Sequence, residues 1–289
     1  MKKEILFSVG GGIVCYQMGI IRWILENIDQ NYLRQECIFG GASAGSVSSF
    51  FLVCCLYGIG DIDTWFNEII LKLFNKIKKS RTGAFFKINK MVAQVGKDIE
   101  KRITRHQNIS FLNGKYHILV TKVPEMKKKI VTQFNHYDDF IEAIISSCYA
   151  PLISNGLCYK YKDEWCSDGI YCCQIPSRNY QSSKVYFSFL NQQESNCHTI
   201  NICDWKTVSL PDIWMWSDLN WCKKLYYLGY KDSDKFKQEI ISCICPIQSP
   251  LFGFYNQLLL ELKEHKKNTS KLKKRNLTKR FKEKKIFLN

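Results

Sequence analysis

Two glycine-rich turns near the amino terminus restrict the fold of this chain more than any other feature of its sequence. Gly10-Gly11-Gly12 follows an apolar run at residues 5–9, and Gly41-Ala42-Ser43-Ala44-Gly45 follows a second apolar run at residues 37–39. After each turn, apolar residues recur with the spacing of a helix. The repeated order of strand, turn and helix predicts an α/β fold in which parallel strands are joined by right-handed crossovers.

Other elements follow from hydrophobic periodicity and segment length. Residues 46–57 are apolar nearly all round, which is typical of a helix packed on both sides, whereas residues 63–78 have the pattern of an amphipathic helix. We expect residues 83–104 to be partly helical and to form a lid or cap. Further helices are predicted at 17–27, 141–148, 220–228 and 251–262, and strands or extended segments at 116–123, 130–134, 159–165 and 185–189.

Composition and charge divide the chain into two parts. Hydrophobic residues make up 46% of the 289 residues and proline only six, which indicates a globular protein rather than a disordered one. No internal repeat or Pro/Ser-rich linker is evident. Much of the formal net charge of +16 lies after Lys263, where lysine and arginine greatly outnumber glutamate. We therefore predict one domain at residues 1–262 and a basic, flexible tail at residues 263–289.

The fourteen cysteines do not have the pattern of a disulfide scaffold. Cys54-Cys55 and Cys172-Cys173 are adjacent pairs, and several others lie in apolar runs, where cysteine behaves as a small buried hydrophobe. No C-x-x-C motif occurs, and no cluster resembles a zinc or calcium site. The pattern favours a reducing, cytoplasmic compartment and a protein without a bound metal.

Two segments resemble targeting signals. Residues 1–13 begin with a basic region and an apolar run, but Glu4 and three glycines interrupt it, and no small-residue cleavage site follows. Residues 38–60 carry no charge, yet Gly40, Gly41 and Gly45 divide them into a strand and a helix. We predict neither a signal peptide nor a transmembrane helix.

Three short motifs carry the candidate chemistry. Gly41–Gly45 fits G-x-S-x-G, in which a serine lies on a tight turn between a strand and a helix with its hydroxyl exposed. Alone, this motif often occurs by chance. Gly10–Gly12 could be a phosphate-binding turn, but the pattern G-x-G-x-x-G fails because Cys15 occupies its last position. Asp168-Gly169 is, by itself, a common turn pair.

Taken together, these blocks resemble the patatin-like phospholipase family. Gly10–Gly12 with Gly19, then Gly41–Gly45, then Asp168-Gly169 stand in the family's order, and residues 146–151 resemble its short helix-to-proline segment. The resemblance covers about residues 5–176. It implies a three-layer α/β/α fold with a mainly parallel central sheet.

The resemblance also implies a Ser–Asp dyad and no cofactor. Ser43 would be the nucleophile and Asp168 the general base that accepts its proton, because a serine hydroxyl is a poor nucleophile without a neighbouring base. Gly41 and Gly45 would form the nucleophile elbow, and Gly169 would let the loop bring the carboxylate close. The backbone N–H groups of an oxyanion hole would come from Gly10, Gly11 and Gly12. The implied activity is hydrolysis of phospholipid acyl esters, of the phospholipase A type, through an acyl-Ser43 intermediate.

The first turn departs from the family pattern. The family usually has a lysine or arginine and then a glycine where this chain has Val14 and Cys15. The loss of that cation supports an alternative, a catalytically weak or silent protein of the same fold. A triad assisted by one of the five histidines is a further alternative. We expect Ser43 and Asp168 to be active nonetheless, with reduced activity.

The basic tail predicts a peripheral location on membranes. Lysine and arginine attract a chain to anionic bilayers, and the tail carries interspersed leucine, isoleucine and phenylalanine. The expected partners are therefore acyl-ester lipids and a membrane surface. Nucleic acid is the less favoured partner, and a solvated tail without a partner is the simplest alternative. The sequence indicates neither the oligomeric state nor a head-group or acyl-position preference.

Overall fold

A computed structural model of the chain describes residues 2–79, 88–103, 109–151, 153–178, 183–188, 197–205 and 218–245. The contacts between residues separate a unit at Met1–Ile244 from a second at Cys245–Asn289. The helix predicted at residues 251–262 and the basic tail lie outside the described residues. The division of the chain at residue 262 therefore stays a prediction.

The strands form one sheet with a parallel centre and an antiparallel margin. In order across the sheet they are β5, β6, β3, β2, β1, β7 and β8, and β4 also pairs with β3. Neighbours from β3 through β2, β1 and β7 to β8 are parallel, whereas β4, β5 and β6 pair antiparallel. The strands are β1 Lys3–Phe7, β2 Cys37–Ala42, β3 Tyr116–Lys122, β4 Lys127–Val131, β5 Tyr159–Tyr161, β6 Glu164–Ser167, β7 Lys184–Ser188 and β8 Cys197–Asn201.

Helices flank this sheet. Short 3-10 turns at Gly11–Ile13 and Gly169–Cys172 precede α1 and follow β6, respectively. A π turn at Phe66–Ile70 joins α4 to α5, so the amphipathic helix predicted at residues 63–78 contains a bulge. The helices are α1 Val14–Asn27, α2 Gln30–Glu36, α3 Ala44–Leu56, α4 Ile62–Trp65, α5 Leu71–Lys78, α6 Ile88–Ile103, α7 Tyr137–Ser147, α8 Leu219–Lys235 and α9 Lys237–Ile244.

Helix α3 is the centre of the packing, as its uniformly apolar sequence predicts. It contacts β1, β2 and β3 on one side and α1 on the other, so nearly all of its side chains are buried. Helix α7 packs beside it on β3. The predicted α/β fold with a mainly parallel central sheet is confirmed, and the flanking helices are consistent with a three-layer α/β/α arrangement.

Helices α1 and α8 touch at their backbones. A Cβ atom on Gly19 would lie 2.1 Å from the carbonyl oxygen of Tyr226, and one on Gly229 would lie 2.1 Å from that of Tyr16. No side chain fits at either position. Gly19, which the resemblance groups with the first glycine turn, is therefore required for helix packing.

The segment predicted to be extended at residues 159–165 is a hairpin of β5 and β6. The chain reverses at Lys162 and Asp163, whose φ angles of 46° and 64° lie in the left-handed region. The sequence has no glycine at this turn, which is why the reversal could not be predicted. Within the described residues, no helix combines the length and the apolar character needed to cross a bilayer.

Candidate active site

Ser43 occupies the turn between β2 and α3, and its backbone is strained. Its φ and ψ angles are 51° and −124°, a conformation that residues other than glycine rarely adopt. Strain of this kind persists only where the surrounding structure holds it. The side chain is half-buried at the carboxyl end of the strand, where parallel sheets place their ligand sites.

The glycines on either side of Ser43 allow three backbone segments to meet. A Cβ atom on Gly41 would lie 2.2 Å from the carbonyl carbon of Gly45. One on Gly45 would lie 2.1 Å from the carbonyl oxygen of Phe7, at the end of β1. The strand, the helix and the neighbouring strand therefore approach more closely than any side chain would permit.

Hydrogen bonds hold the strained serine on both sides. Its N–H donates to Oγ of Ser147 at 2.9 Å, and that hydroxyl donates to the carbonyl oxygen of Leu119 at 2.7 Å. Its carbonyl oxygen accepts from the N–H of Ser46 at 3.0 Å and from the Ser46 hydroxyl at 2.6 Å. Helix α7 thus fixes the turn through Ser147, whose role the sequence did not reveal.

Asp168 directly follows β6 and is held by both backbone and side-chain bonds. Its N–H donates to the carbonyl oxygen of Tyr149 at 3.0 Å, and its own carbonyl oxygen accepts from the hydroxyl of Thr121 at 2.7 Å. A carboxyl oxygen accepts from the N–H of Ile170 at 2.9 Å. A Cβ atom on Gly169 would lie 2.7 Å from the carbonyl oxygen of Leu119, so only glycine fits there.

The structure brings the side chains of Ser43 and Asp168 together. Asp168 is only 4% exposed, and this burial raises its pKa to about 6. Hydrogen bonds from the Ile170 N–H and from the Ser43 side chain act in the opposite direction. The carboxylate that results at neutral pH is a stronger base than an exposed aspartate and lies next to a hydroxyl.

Cys148 is a second nucleophilic group beside this pair. Burial raises the pKa of its thiol well above the usual range, and the charge of Asp168 raises it further. Interactions with Ser46 and Ser43 lower it, which places the sulfur among the same side chains. Cys148 is therefore a buried thiol whose ionisation is disfavoured.

The first glycine turn lies against the start of α3. Gly10 has a φ of 141°, which side chains rarely allow, and the 3-10 turn at Gly11–Ile13 contacts α3. The first N–H groups of a helical turn have no partner within it, which leaves them available to an anion. The structure therefore brings Gly11 and Gly12 to the side of the sheet where Ser43 opens.

Gln17 connects the segment before the first turn to α3. Its side-chain amide donates to the carbonyl oxygen of Ser8 at 2.8 Å and accepts from the hydroxyl of Ser48 at 2.8 Å. All three residues are fully buried. A glutamine among the apolar residues of the first half of α1 was the only sequence signal for this bridge.

The residues that depart from the family pattern belong to the core. Val14 is 5% exposed, and Cys15 is fully buried. Burial raises the pKa of the Cys15 thiol, and the neighbouring Cys222 on α8 raises it further. A cation at position 14 would therefore be surrounded by apolar packing in this chain rather than by solvent.

The described histidines are engaged away from the Ser43–Asp168 pair. His117 is fully buried, with Nε2 2.6 Å from the carbonyl oxygen of Pro176, and burial lowers its pKa to about 4. His136 accepts from the N–H of Asp139 at the start of α7, and His198 lies 3.8 Å from Glu239. His106 and His265 lie outside the described residues. In the same part of the chain, no group of three or more potential ligand side chains is placed to hold a metal ion.

Known proteins with sequences similar to this chain were found by comparison. No family model matches it. It is 27% identical over 260 residues to the 1-acylglycerol-3-phosphate O-acyltransferase Pnpla3 of Mus musculus, which covers 84% of this chain and 60% of the relative. It is 25% identical to the omega-hydroxyceramide transacylase of Mus musculus, over 82% of this chain and 41% of the relative.

The human omega-hydroxyceramide transacylase is 25% identical over 191 residues, which is 66% of this chain and 35% of the relative. This chain thus spans between about a third and three fifths of the length of these proteins. Their names are those of an acyltransferase and of transacylases. These relatives and the mostly parallel sheet make the chain similar to patatin-like enzymes.

Proposed function

We propose that this protein is a serine lipid acyl hydrolase of the phospholipase A type. The observation that carries the proposal is the pair of Ser43 and Asp168, in which a strained, half-buried serine faces a buried carboxyl group with a pKa of about 6. A base with a pKa just below neutral accepts a proton effectively at physiological pH. The patatin-like relatives support acyl-ester chemistry in general.

The proposed reaction has two halves. Asp168 accepts the hydroxyl proton as Oγ of Ser43 attacks the acyl carbonyl, and the N–H groups of Gly11 and Gly12 stabilise the negative charge on the carbonyl oxygen. The leaving lysolipid alkoxide takes up that proton, and the acyl group stays on Ser43. Asp168 then deprotonates water, which attacks the acyl-serine, and the proton passes from Asp168 to Oγ of Ser43 as the acyl–oxygen bond breaks and the fatty acid leaves. No metal or cofactor takes part in these steps.

A second candidate is acyl transfer to an alcohol. The names of the relatives are those of an acyltransferase and a transacylase, and this favours it. The first half of the reaction would be the same. In the second half, Asp168 would deprotonate a lipid hydroxyl instead of water, and the product would be a new ester rather than a fatty acid.

The experiment measures both products. Purified full-length protein is incubated with phosphatidylcholine–phosphatidylserine vesicles, with and without a long-chain alcohol, and fatty acid and new ester are quantified. Ser43→Ala and Asp168→Asn should each lower the rate by about a thousandfold or more, because nucleophile and base act as one unit. Ser242→Ala, which changes an exposed serine on α9, is the matched control and should keep the wild-type rate.

Equal product formation by wild type and Ser43→Ala would exclude the enzyme and favour the silent, lipid- or nucleic-acid-binding alternative. Loss of the fatty acid in favour of the ester would select the second candidate.

We further propose that the basic residues 263–289 hold the protein at the cytoplasmic face of membranes, since each lysine or arginine near an anionic surface contributes about 1 kcal/mol. Deletion of these residues should weaken vesicle binding.

A further inference from the structure

Most of the large exposed apolar side chains lie in one part of the chain, from the turn after β3 to the turn after Asp168. Among the described residues, five large hydrophobic side chains are more than a third exposed. Four of them lie between residues 126 and 171, and we call these four the apolar rim: Met126 at 47%, Leu157 at 74%, Trp165 at 52% and Tyr171 at 38%. The fifth, Tyr227, lies on α8 and is 62% exposed.

Two members of the apolar rim project beyond the carboxyl end of the sheet. The last residue of β2, Ala42, pairs with Leu119 of β3. The N–H of Val123 donates to the carbonyl oxygen of Trp165 at 2.9 Å, so Trp165 lies level with Val123. Trp165 is thus about 13 Å further along the strand direction than the end of β2. Met126 lies in the turn between β3 and β4, which projects in the same direction.

The other two members lie at the end of the hairpin where Asp168 follows β6. The N–H of Tyr171 donates to the carbonyl oxygen of Asp168 at 3.2 Å. Leu157 comes two residues before Tyr159, the first residue of β5, whose partner Cys166 comes two residues before Asp168. The apolar rim therefore runs from the candidate catalytic pair to the outer end of the hairpin.

Positive charge accompanies the apolar rim. Between Lys122 and Lys129 the chain has four lysines and one glutamate. Lys122 and Lys129 share the carboxylate of Glu164, and Lys122 also lies 3.9 Å from the carboxylate of Glu125. Lys127 is exposed at the turn. The surface around the apolar rim thus carries an excess of lysine.

We propose that the apolar rim docks on an anionic lipid surface and brings the half-buried Ser43 towards it. Tryptophan and tyrosine favour the boundary between lipid and water, and lysine side chains favour anionic headgroups. A scissile ester could then reach Ser43 without leaving the lipid phase. The proposal rests on the proposed function, because it assigns the reacting position to Ser43. Contact between the apolar rim and lipid can be measured without catalysis.

The test measures binding in full-length Ser43→Ala protein, so that it is independent of turnover. Sedimentation with vesicles of phosphatidylcholine alone, or mixed with phosphatidylserine, gives the partition coefficient. Adding Leu157→Glu and Trp165→Ala together should weaken binding to both kinds of vesicle by about tenfold or more, because two exposed apolar side chains no longer enter the lipid. Tyr227→Ala is the matched control and should bind like the parent.

A second variant tests the charge. Lys127→Glu should weaken binding to the mixed vesicles severalfold and leave binding to phosphatidylcholine unchanged. Near-ultraviolet circular dichroism confirms that each variant is folded. If the Leu157→Glu, Trp165→Ala protein bound vesicles as strongly as its Ser43→Ala parent, the proposal would be overturned. Membrane contact would then belong to another part of the chain, such as the basic tail. Equal losses in the Tyr227→Ala control would overturn it as well.

Discussion

The two glycine turns are held in different ways. At the elbow, four hydrogen bonds fix the N–H and the carbonyl oxygen of Ser43, and two of them involve the side chains of Ser46 on α3 and Ser147 on α7. At the first turn, the N–H of Ile13 donates to the carbonyl oxygen of Gly10, the N–H of Val14 donates to those of Gly11 and Gly12, and residues 11–13 pack on α3. The elbow is anchored by specific side chains, and the first turn by its own backbone bonds and by packing.

This difference is consistent with the place where the chain departs from the patatin-like pattern. Backbone N–H groups are present whatever residues follow the turn, so Val14 and Cys15 can belong to the core of α1. The proposed roles of Ser43 and Asp168 depend on their side chains, and the bond from the Ser43 N–H depends on the hydroxyl of Ser147. We therefore expect these three positions to tolerate substitution least.

The largest effect is expected where the elbow touches the end of β1. In Gly45→Ala, the new Cβ would lie 2.1 Å from the carbonyl oxygen of Phe7, and neither backbone segment can move without displacing Ser43 or the first turn. We expect a loss of about 3 kcal/mol or more in the free energy of unfolding, measured by urea titration. We also expect loss of acyl-ester turnover.

Gly58→Ala is the matched control for this change. Gly58 has a φ of 75°, but a Cβ atom added there would meet no other atom within 4 Å, so alanine adds only backbone strain. It should cost about 1 kcal/mol. If Gly45→Ala and Gly58→Ala lowered the free energy of unfolding by similar amounts, the close approach of the elbow to β1 would be contradicted.

A smaller effect is expected from loosening the elbow alone. Ser147→Ala removes the acceptor for the Ser43 N–H and leaves that donor buried without a partner, which should cost about 1–3 kcal/mol in stability. Turnover should fall about tenfold to a hundredfold, because the hydroxyl of Ser43 is no longer held in position. Thermal unfolding and steady-state kinetics measure the two effects.

Ser146→Ala provides the comparison for this variant. Ser146 is equally buried, but its hydroxyl donates to the carbonyl oxygen of Glu142 within α7 and has no contact of this kind with the elbow. It should keep most of the wild-type activity. If Ser146→Ala lost as much activity as Ser147→Ala, the effect would belong to α7 in general and not to the bond with Ser43.

The elbow could be predicted from sequence because its requirements are local. Gly41 and Gly45 flank a serine between a strand and a helix, and each of these features is visible in the residues themselves. The supports of the site are not local. Tyr149 contributes only its carbonyl oxygen, which every residue has, and Ser147 differs from its neighbour Ser146 only in the direction of its side chain. No pattern in the sequence distinguishes such atoms.

The same contrast applies to Asp168. An Asp-Gly pair was visible, and the family resemblance predicted its role, but nothing in the sequence indicated that the carboxyl would be 4% exposed. Burial, which raises the pKa of Asp168 to about 6, depends on residues from β3, α7 and the hairpin together. A property that arises from three distant segments appears only once the chain has folded.

The most direct test of the account is the pH dependence of Ser43 labelling by a fluorescent alkyl phosphonate, which reacts with an activated serine. Because Asp168 acts as a base only when ionised, the labelling rate should rise with pH, reach half of its maximum near the pKa of about 6, and level off above it. Asp168→Asn should remove both the labelling and its pH dependence. A rate that does not change between acid and neutral pH, or an Asp168→Asn protein labelled at the wild-type rate, would contradict the claim that Asp168 activates Ser43.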